Sequence, residues 1–338
     1  MRKKRILLLV REGLEPPGTI KGLSNDEVQS APWKTEYDVA VTLEKLGHNV
    51  KILGIYDDLS VLRKAINDFK PHLTFNLLEE FAGEVLYDLN IVTYLELMNV
   101  PYTGCNPRGL IIARDKALSK KLLTYHRVRT PDFKVFPLRR RIRRPKRLKF
   151  PLFVKSVLED ASFVISQGSL VKNDESLAAR VRFVHEQTGK DVIAEEFIEG
   201  RELYVGVLGN KRLEVFPIWE LLFKNKPEDQ PLIATARAKW SLTYQKKWGI
   251  ISREAKSLPD GLAEQIERRC KRIYRILGLS GYARIDFRLT PDGLLYFLEA
   301  NPNPELFHDE DFAKSAQNKG ISYERLIHHI ISLGLRRS

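Results

Sequence analysis

Residues 283–301 read ARIDFRLTPDGLLYFLEAN, which is the most informative stretch of the sequence. Two apolar segments flank the sequence TPDG at 290–293, which has Pro at the second and Gly at the fourth position of a β-turn. We therefore predict two antiparallel strands, 283–289 and 294–300. The apolar residues that alternate with the charged ones indicate a packed sheet and not a solvated ribbon.

Polar side chains collect on one face of this hairpin. If 291 and 292 form a two-residue loop, Arg284 lies opposite Glu299 and Asp286 lies opposite Phe297. Because side chains alternate along strands, four polar residues then share a face: Arg284, Asp286, Glu299 and Asn301. Neighbours lie about 5 Å apart, and two carboxylates with an amide suit Mg²⁺. The alternative is a surface ion pair between Arg284 and Glu299 beside a solvated Asp286.

Residues 192–209 read VIAEEFIEGRELYVGVLG and combine an apolar pair with several carboxylates. A purine ring needs an apolar slot with exposed backbone groups, and a ribose needs a carboxylate that accepts its hydroxyl protons. The residues that meet these needs are Glu195, Phe197, Ile198 and Glu202. Glu196 and Glu199 are typical of plain surface charge. We expect this stretch to form a compact, hairpin-like connection.

Two lysines are candidates for phosphate contacts. Lys116 opens a helix predicted for 116–125, and Lys155 ends a strand predicted for 151–155. A lysine is a compact point charge that suits phosphate. Taken alone, each is more often a solvated side chain, so the assignment depends on the metal-binding hairpin.

Strand and helix patterns alternate in the first hundred residues, which predicts a parallel α/β domain. The predicted strands there are 4–10, 50–55 and one ending at 76, and the predicted helices are 34–46 and 61–69. Further strands are predicted at 192–195, 202–208 and 213–219, and further helices at 175–187, 262–277 and 323–332. The fold class is therefore α/β, with an α+β C-terminal half. We place domain boundaries at 1–105, 106–190 and 191–338.

Composition limits the class of protein. A chain of 338 residues with 43% hydrophobic residues suits two or three packed domains. No apolar run is long enough to span a bilayer, and the N-terminus does not match a secretory signal. Cys105 and Cys270 lie far apart in no ligand spacing, which argues against a disulfide framework and against zinc. We expect a cytoplasmic protein.

The net charge of +13 is partly local, because residues 139–149 hold eight basic residues and no acid. One interpretation is a solvated connection before the strand at 151–155. The other is a surface for an anionic partner. No aromatic residue lies between Arg139 and Lys149, so base stacking and nucleic-acid binding are not expected there.

Seven motifs in order resemble the D-alanine–D-alanine ligase branch of the ATP-grasp superfamily. They are PYTG (101–104), RDK (114–116), FPLFVK (150–155), AEEFIEGRELYV (194–205), ARAKW (236–240), ARIDF (283–287) and LEANPNP (298–304). The likeness covers roughly residues 70 to 335. It implies a three-domain ATP-grasp fold with an N-terminal parallel α/β domain, which binds ATP between two antiparallel sheets. It also implies a ligase that makes an acyl phosphate, which an amine then attacks.

The resemblance also implies roles for single residues. Lys116 and Lys155 match phosphate-binding lysines, and Lys239 matches a lysine on a loop that closes over the γ-phosphate. Arg284 matches the arginine that stabilises the acyl phosphate. The adenine and ribose contacts are matched by Glu195, Phe197, Ile198 and Glu202, and the ligands of two Mg²⁺ ions by Asp286, Glu299 and Asn301. Ser162 is the serine that remains in the family's phosphate-covering loop.

Departures from the family concern the substrates. The loop 159–164 lacks the family's glycines, and 76–84 replaces a stretch that binds the first amino acid. Counted from Asn301 without a gap, Glu305 takes the position of a family glycine. Glu310 and Asp311 take that of a Ser-Leu pair that receives the second D-alanine's carboxylate. Acids there would repel a carboxylate by about 1–4 kcal/mol at 4 Å, unless a gap turns them toward solvent.

Three functions are therefore open. The first is a carboxylate–amine ligase of unassigned substrate that acts on small amino acids, peptides or amines, and the second is a true D-alanine–D-alanine ligase. The third is an inactive ATP-binding protein that uses its basic segment to bind a partner, which the intact set around Arg284 and Glu299 argues against. We expect that D-alanyl-D-alanine is not made efficiently. No membrane partner is expected, and a homodimer is left open.

Overall fold

The structure is a computed structural model that describes residues 2–17, 25–158, 164–225, 233 and 241–337. Its strands are β1 (Arg5–Arg11), β2 (Asn49–Ile55), β3 (Leu73–Asn76), β4 (Phe133–Phe136), β5 (Leu152–Ser156), β6 (Leu170–Val171), β7 (Val192–Glu196), β8 (Arg201–Leu208), β9 (Glu214–Val215), β10 (Trp219–Phe223), β11 (Ile250–Glu254), β12 (Tyr282–Leu289) and β13 (Leu295–Pro302).

Helices connect these strands and cover their faces. They are α1 (Asn25–Ser30), α2 (Lys34–Lys45), α3 (Leu59–Phe69), α4 (Asp88–Leu97), α5 (Pro107–Arg114), α6 (Lys116–Tyr125), α7 (Asp174–Thr188), α8 (Leu242–Trp248), α9 (Leu262–Ile276), α10 (Asp311–Asn318) and α11 (Tyr323–Leu335). Short 3-10 turns span Val85–Tyr87 and Gln167–Ser169.

The first sheet is parallel and has the order β2-β1-β3. β1 is central and its apolar residues are fully buried, because helices cover both faces. Leu8 shares a core with residues of α2 and of α11, whereas Leu7 shares a core with residues of α3 and α4. The C-terminal helix α11 therefore packs on one face of the first sheet.

The second sheet is antiparallel, with the order β4-β7-β5-β6. α7 packs on one face, where Val181 and Val184 share a core with Leu152 and Val154. Since side chains alternate along a strand, Lys155 lies on the opposite face of β5.

The third sheet is also antiparallel, with the order β11-β10-β8-β12-β13 and β9 paired to β8. α9 covers one face, and its Ile266 and Ile273 share a core with Val205 and Ile285. The other face carries Glu202 of β8, Arg284, Asp286 and Arg288 of β12, and Glu299 of β13. One parallel and two antiparallel sheets confirm the predicted fold class.

The predicted helix 116–125 coincides with α6 because its start is chemically marked. The Asp115 side chain accepts the backbone N–H groups of Ala117 and Leu118 at 2.9 and 2.8 Å. This cap fixes Lys116 at the first position of the helix.

The predicted strand 213–219 is wrong as a single element. It is divided into β9 and the start of β10, with Pro217 between them. Proline has no N–H to donate to a neighbouring strand, so a continuous ladder cannot pass through it.

The predicted hairpin-like connection across 192–209 is also wrong. β7 pairs with β4 and β5, whereas β8 pairs with β10, β12 and β9, so residues 197–200 join two different sheets. A Cβ at Gly200 would lie 2.0 Å from Leu289 O, which explains why this crossing needs glycine. Apolar and polar residues alternate along β7 and β8 in the same way whether the two strands pair with each other or lie in different sheets. The sequence pattern therefore does not distinguish a hairpin from a crossing between sheets.

β7 lies beyond the boundary predicted after residue 190, and it is a strand of the second sheet.

Candidate active site

The β12–β13 hairpin has a different register from the predicted one. Asp286 lies opposite Glu299, and Arg284 lies opposite Asn301. The predicted pairs of Arg284 with Glu299 and of Asp286 with Phe297 are therefore wrong. The predicted shared face is nevertheless present, since both observed pairs join the same polar residues.

Two irregularities explain the difference. The loop has three residues, 291–293, because Thr290 N donates to Leu294 O at 3.0 Å. The pairing then shifts again between Asp286 and Phe287, which marks a β-bulge. A one-residue slip reverses the face of a strand, so the second slip restores what the first one changed.

Arg284 is held rigidly on this face. Its Nε and Nη2 donate to the two oxygens of Asp286 at 2.8 and 2.9 Å. Asn301 Nδ2 also donates to Asp286, at 3.0 Å, and the Arg284 guanidinium lies 4.7 Å from the ring centre of Tyr204. Asp286 is thus the centre of a hydrogen-bonded group that fixes the plane of Arg284.

Lysines from the opposite side of a cleft face Glu299. Lys155 Nζ lies 3.6 Å from Glu299 Oε2, and Lys116 Nζ lies 4.0 Å from the same atom. Lys155 Nζ also lies 2.9 Å from Glu195 Oε1. On the other side of Glu195, Lys120 Nζ lies 3.3 Å from Oε2. Positive charge is therefore concentrated where the second and third sheets meet.

These groups are mostly charged at neutral pH. Burial alone would lower the pKa of Lys155, but the carboxylates of Glu195 and Glu299 raise that pKa above its ordinary value. Burial alone would raise the pKa of Glu195, but Lys120 and Lys155 lower it. Burial lowers the pKa of Lys120 to about 8. Lys155 thus stays protonated and Glu195 stays ionised, so the two remain an ion pair.

An apolar slot adjoins this charged region, within a cleft of about 610 Å³ of open space. Its apolar walls are Phe153, Ile165, Phe197, Ile198, Ile233 and Leu298. Phe153 and Phe197 lie with ring centres 6.5 Å apart. The polar lining consists of Lys155, Glu195, Glu196, Glu202, Asp286, Arg288 and Glu299.

Glu202 is oriented by two neighbours. Arg288 Nη2 donates to Glu202 Oε2 at 2.8 Å, and the Tyr204 hydroxyl donates to Oε1 at 2.9 Å. Arg288 lies directly opposite Glu202 on the paired strand. Its guanidinium also lies 5.7 Å from the ring centre of Phe197. One carboxylate therefore sits at the mouth of the apolar slot.

The structure brings the described candidates together. The cleft contains Lys155, Glu195, Phe197, Ile198, Glu202, Asp286 and Glu299, and Lys116, Arg284 and Asn301 contact its charged end. Ser162 and Lys239, also predicted as site residues, lie outside the described residues. Their roles stay predictions.

Three neighbours of the site were not predicted: Lys120, Tyr204 and Arg288. Lys120 lies one helical turn after Lys116, and residues four apart share a helix face, so a signal was present. Arg288 follows Asp286 by two residues and shares its face for the same kind of reason. The partner of Arg288 required knowledge that β8 pairs with β12, which the chain order does not supply.

Replacing Lys120 with Met should destabilise the protein by about 3–5 kcal/mol, because it leaves one side of a buried carboxylate without its cation. Lys120 is 0% exposed and Glu195 is 3% exposed. Lys121→Met, at the exposed neighbouring position, is the matched control and should change stability by less than about 0.5 kcal/mol. Urea unfolding of both variants measures the difference. Equal midpoints would show that the Lys120–Glu195 pair contributes nothing.

Asp286, Glu299 and Asn301 provide oxygen donors of the kind that Mg²⁺ prefers. Among the described residues, no group of three or more His, Cys, Asp or Glu side chains could hold a metal alone. Two carboxylates and one amide suit a Mg²⁺ that takes its remaining ligands from phosphate oxygens and water. The donor set therefore fits a nucleotide-bound Mg²⁺ and not a dedicated protein cage.

The basic segment, Arg139–Lys149, contains no helix or strand. Arg144 anchors it, because its Nε donates to Asp174 Oδ1 at 2.8 Å and its guanidinium lies 4.4 Å from the Phe150 ring centre. The other basic residues of the segment are exposed: Arg139, Arg140, Arg141, Arg143, Lys146, Arg147 and Lys149.

Replacing Arg139, Arg140, Arg141 and Arg143 together with Gln should leave kcat/KM on small substrates within about twofold, since surface charges away from a site have small effects. Arg144 is kept because it anchors the segment. The check is steady-state ADP formation at two ionic strengths. A large loss that depends on salt would instead favour an anionic substrate or partner.

No helix in the described parts of the chain is long and apolar enough to cross a membrane. Cys105 and Cys270 are buried free thiols.

The chain is similar in sequence to D-alanine–D-alanine ligases. A family model described as D-ala D-ala ligase C-terminus matches residues 122–332. A D-alanine–D-alanine ligase of Bordetella petrii is 32% identical over 246 residues, which cover 70% of this chain and 69% of that protein. A D-alanine–D-alanine ligase of Aquifex aeolicus is 29% identical over 300 residues, which cover 88% of this chain and 94% of that protein.

Solved structures give the same picture for the fold. The D-alanine–D-alanine ligase from Bacillus anthracis complexed with ATP superposes with a TM-score of 0.75 at 23% identity, covering 98% of each chain. The VanG D-Ala:D-Ser ligase from Enterococcus faecalis superposes with a TM-score of 0.69 at 19% identity, covering 98% of this chain and all of that one. The fold is therefore the ATP-grasp fold of these ligases.

Proposed function

Because the chain belongs to the D-alanine–D-alanine ligase family of ATP-dependent carboxylate–amine ligases, we propose that its cleft joins a carboxylate to an amine at the expense of ATP. The γ-phosphoryl group of ATP passes to a carboxylate oxygen of the donor, and ADP leaves. The amine nitrogen of the acceptor then attacks the acyl carbon and loses a proton. The carbon–oxygen bond to phosphate breaks, and phosphate leaves with the bonding electrons.

The residues of the cleft divide this work by position. The apolar slot around Phe197 and Ile198 suits the purine ring, and Glu202 at its mouth suits the ribose hydroxyls. Lys116 and Lys155 would neutralise phosphate oxygens, which is the main electrostatic need of phosphoryl transfer. Arg284 is held by Asp286 toward the reacting end, where it would stabilise the negative charge of the acyl phosphate.

Two parts of the proposal rest on the sequence resemblance alone. They are the roles of Ser162 and Lys239 at the γ-phosphate.

Asp286, Glu299 and Asn301 would hold Mg²⁺, which when bound neutralises phosphate charge and orients the transferred group.

One observation carries the proposal. The ion pairs of Glu299 with Lys155 and Lys116 join the polar face of the third sheet to the second sheet and to α6, directly beside an apolar slot. Cations, carboxylates and an apolar slot lie side by side here. This combination suits the binding of a nucleotide with a metal ion better than it suits a structural core. The same set argues against an inactive ATP-binding protein.

The acceptor is not given by the family. Two neighbours with the same fold are named for different acceptors, D-alanine in one and D-serine in the other. A true D-alanine–D-alanine ligase is the second candidate, because the relatives from Bordetella petrii and Aquifex aeolicus carry that name.

An ADP-release screen tests the proposal and separates the two candidates. Purified full chain is incubated with MgATP and single amino acids, dipeptides or polyamines. We expect ADP release that depends on both a carboxylate and an amine. Failure of every combination to release ADP above the ATP-only rate would contradict ligase activity, and saturable dependence on D-alanine alone would favour the second candidate.

We also propose that the second-sheet unit extends through β7, because β7 pairs with β4 and β5. A cytoplasmic location follows from the use of ATP and the buried free thiols.

A further inference from the structure

An acidic cluster lies beyond Arg284, at the end of the reacting face away from the purine slot. It consists of Glu36 from the first turn of α2, and Glu305, Glu310 and Asp311 from the segment after β13. The two parts are joined directly, because Thr35 Oγ1 donates to Glu305 Oε1 at 2.9 Å. Carboxylates are thus concentrated at one site in a chain whose net charge is +13.

The cluster borders the reacting residues. Burial acts to lower the pKa of the Arg284 guanidinium and the Asp311 carboxylate helps to raise it, and Arg284 in turn acts to lower the pKa of Glu310. Burial and the carboxylates of Glu305 and Asp311 outweigh this effect and raise the pKa of Glu310 above its ordinary value. A molecule that reacts beside Arg284 therefore meets the cluster with its distal end.

Glu36 is the member that points to a ligand. Glu36 is only 6% exposed. No ion pair or side-chain hydrogen bond joins its carboxylate to another described residue. Within the described part of the chain, its carboxylate accepts its own backbone N–H, and the charged groups that act on it, Glu79 and Glu305, are both acidic. Burial raises its pKa to about 7. A buried carboxylate without a cation is costly unless a bound group compensates it.

Lys34 indicates which chemical group the cluster accepts. Its Nζ lies 3.7 Å from Glu305 and 3.6 Å from Glu310, and 4.5 Å from the ring centre of Phe307. An alkylammonium group is thus held here by two carboxylates and an aromatic face. Lys34 pairs with Glu305 and Glu310, and no basic side chain of the described residues pairs with Glu36.

We propose that the acidic cluster binds a second, non-reacting ammonium group of the acceptor, so that the acceptor class is diamines and basic amino acids. The inference rests on the proposed ligase function. The free amine of the acceptor attacks the acyl carbon beside Arg284, while the distal ammonium stays protonated among Glu36, Glu305 and Glu310. An acceptor whose only distal group is a carboxylate, such as D-alanine, is disfavoured by like charge.

A matched pair of acceptors tests the inference. Cadaverine and n-pentylamine have the same chain, and they differ only in the second amine. The purified full chain is given MgATP, one acceptor at a time, and a mixture of donors. The donors are the L and D enantiomers of neutral and acidic amino acids. We expect kcat/KM for cadaverine to exceed that for n-pentylamine by about 10- to 100-fold, on the scale of one charge-assisted hydrogen bond.

Hydroxylamine separates a failure of this inference from a failure of the proposed function. As a small neutral nucleophile it traps an acyl phosphate as a hydroxamate without needing the cluster. Hydroxamate formation with equal use of the two amines, or with saturable synthesis of D-alanyl-D-alanine, would overturn the acceptor assignment alone. No ADP and no hydroxamate with any donor would overturn the ligase function and the assignment with it.

Variants locate the effect. Glu36→Gln should reduce the ratio of kcat/KM for cadaverine to that for n-pentylamine by about 10-fold, since a neutral amide replaces the carboxylate without a change of shape. Glu44→Gln, at an exposed position of the same helix, is the control and should keep the wild-type ratio. If Glu36→Gln does not fold, Glu305→Gln provides the same test. An unchanged ratio in a folded variant would contradict the proposal.

Discussion

Glu299→Gln will reduce kcat by at least about 10³-fold while leaving the fold intact. Glu299 lies opposite Asp286 and faces Lys155 Nζ at 3.6 Å, so its charge serves both the proposed Mg²⁺ and the neighbouring lysine. Glutamine keeps the shape and one acceptor oxygen but removes the charge, and a lost electrostatic stabiliser in a closed site costs about 10²–10³-fold by itself. Loss of a metal ligand adds to that effect.

The measurement is ADP formation under saturating MgATP, together with a thermal unfolding curve. Glu199→Gln is the matched control, because Glu199 is exposed and is not part of the cleft lining. It should keep its rate within about twofold. Near-normal turnover in Glu299→Gln would remove Glu299 from the metal assignment.

Arg284→Lys will reduce kcat by about 10²-fold or more, although the positive charge is kept. Arg284 donates through two nitrogens to both oxygens of Asp286, and a lysine ammonium cannot reproduce this planar, two-point geometry. The charge would move away from the position of the acyl phosphate. The apolar slot is not touched, so KM for ATP should change much less than kcat.

Steady-state kinetics with ATP as the varied substrate separates these two parameters. Arg268→Lys, at an exposed position of α9, is the control and should behave as the unaltered enzyme. A variant that loses ATP affinity but keeps its kcat would place Arg284 at the nucleotide and not at the acyl phosphate.

The sequence predicted the polar face of the hairpin but not its register. Alternation of charged and apolar residues in β12 and β13 placed Arg284, Asp286 and Glu299 together, because a period of two depends only on local sequence. The three-residue loop and the bulge depend on backbone conformations that many residues can adopt. The predicted face is nevertheless correct. The loop and the bulge each shift the register by one residue in the same direction, and two residues are one full period of side-chain alternation.

Connections between sheets were harder to predict than elements. The predicted helix 116–125 agrees with α6, whose start is marked by the Asp115 cap. The placement of β7 and β8 in different sheets depends on long-range pairing, which neither strand encodes alone. The pairs Lys120–Glu195 and Arg288–Glu202 were missed for the same reason, since each joins residues more than 70 positions apart.

If a carboxylate is activated as an acyl phosphate, one of its oxygen atoms leaves with the phosphate when the amine attacks the acyl carbon. The full chain is given MgATP, cadaverine and the amino-acid mixture labelled with ¹⁸O in the carboxyl groups, and the released phosphate is examined by mass spectrometry. We predict one ¹⁸O atom in each phosphate released with ADP. Phosphate that forms with ADP but carries no label would show that water, and not a carboxylate, accepts the phosphoryl group, and would rule out an acyl phosphate.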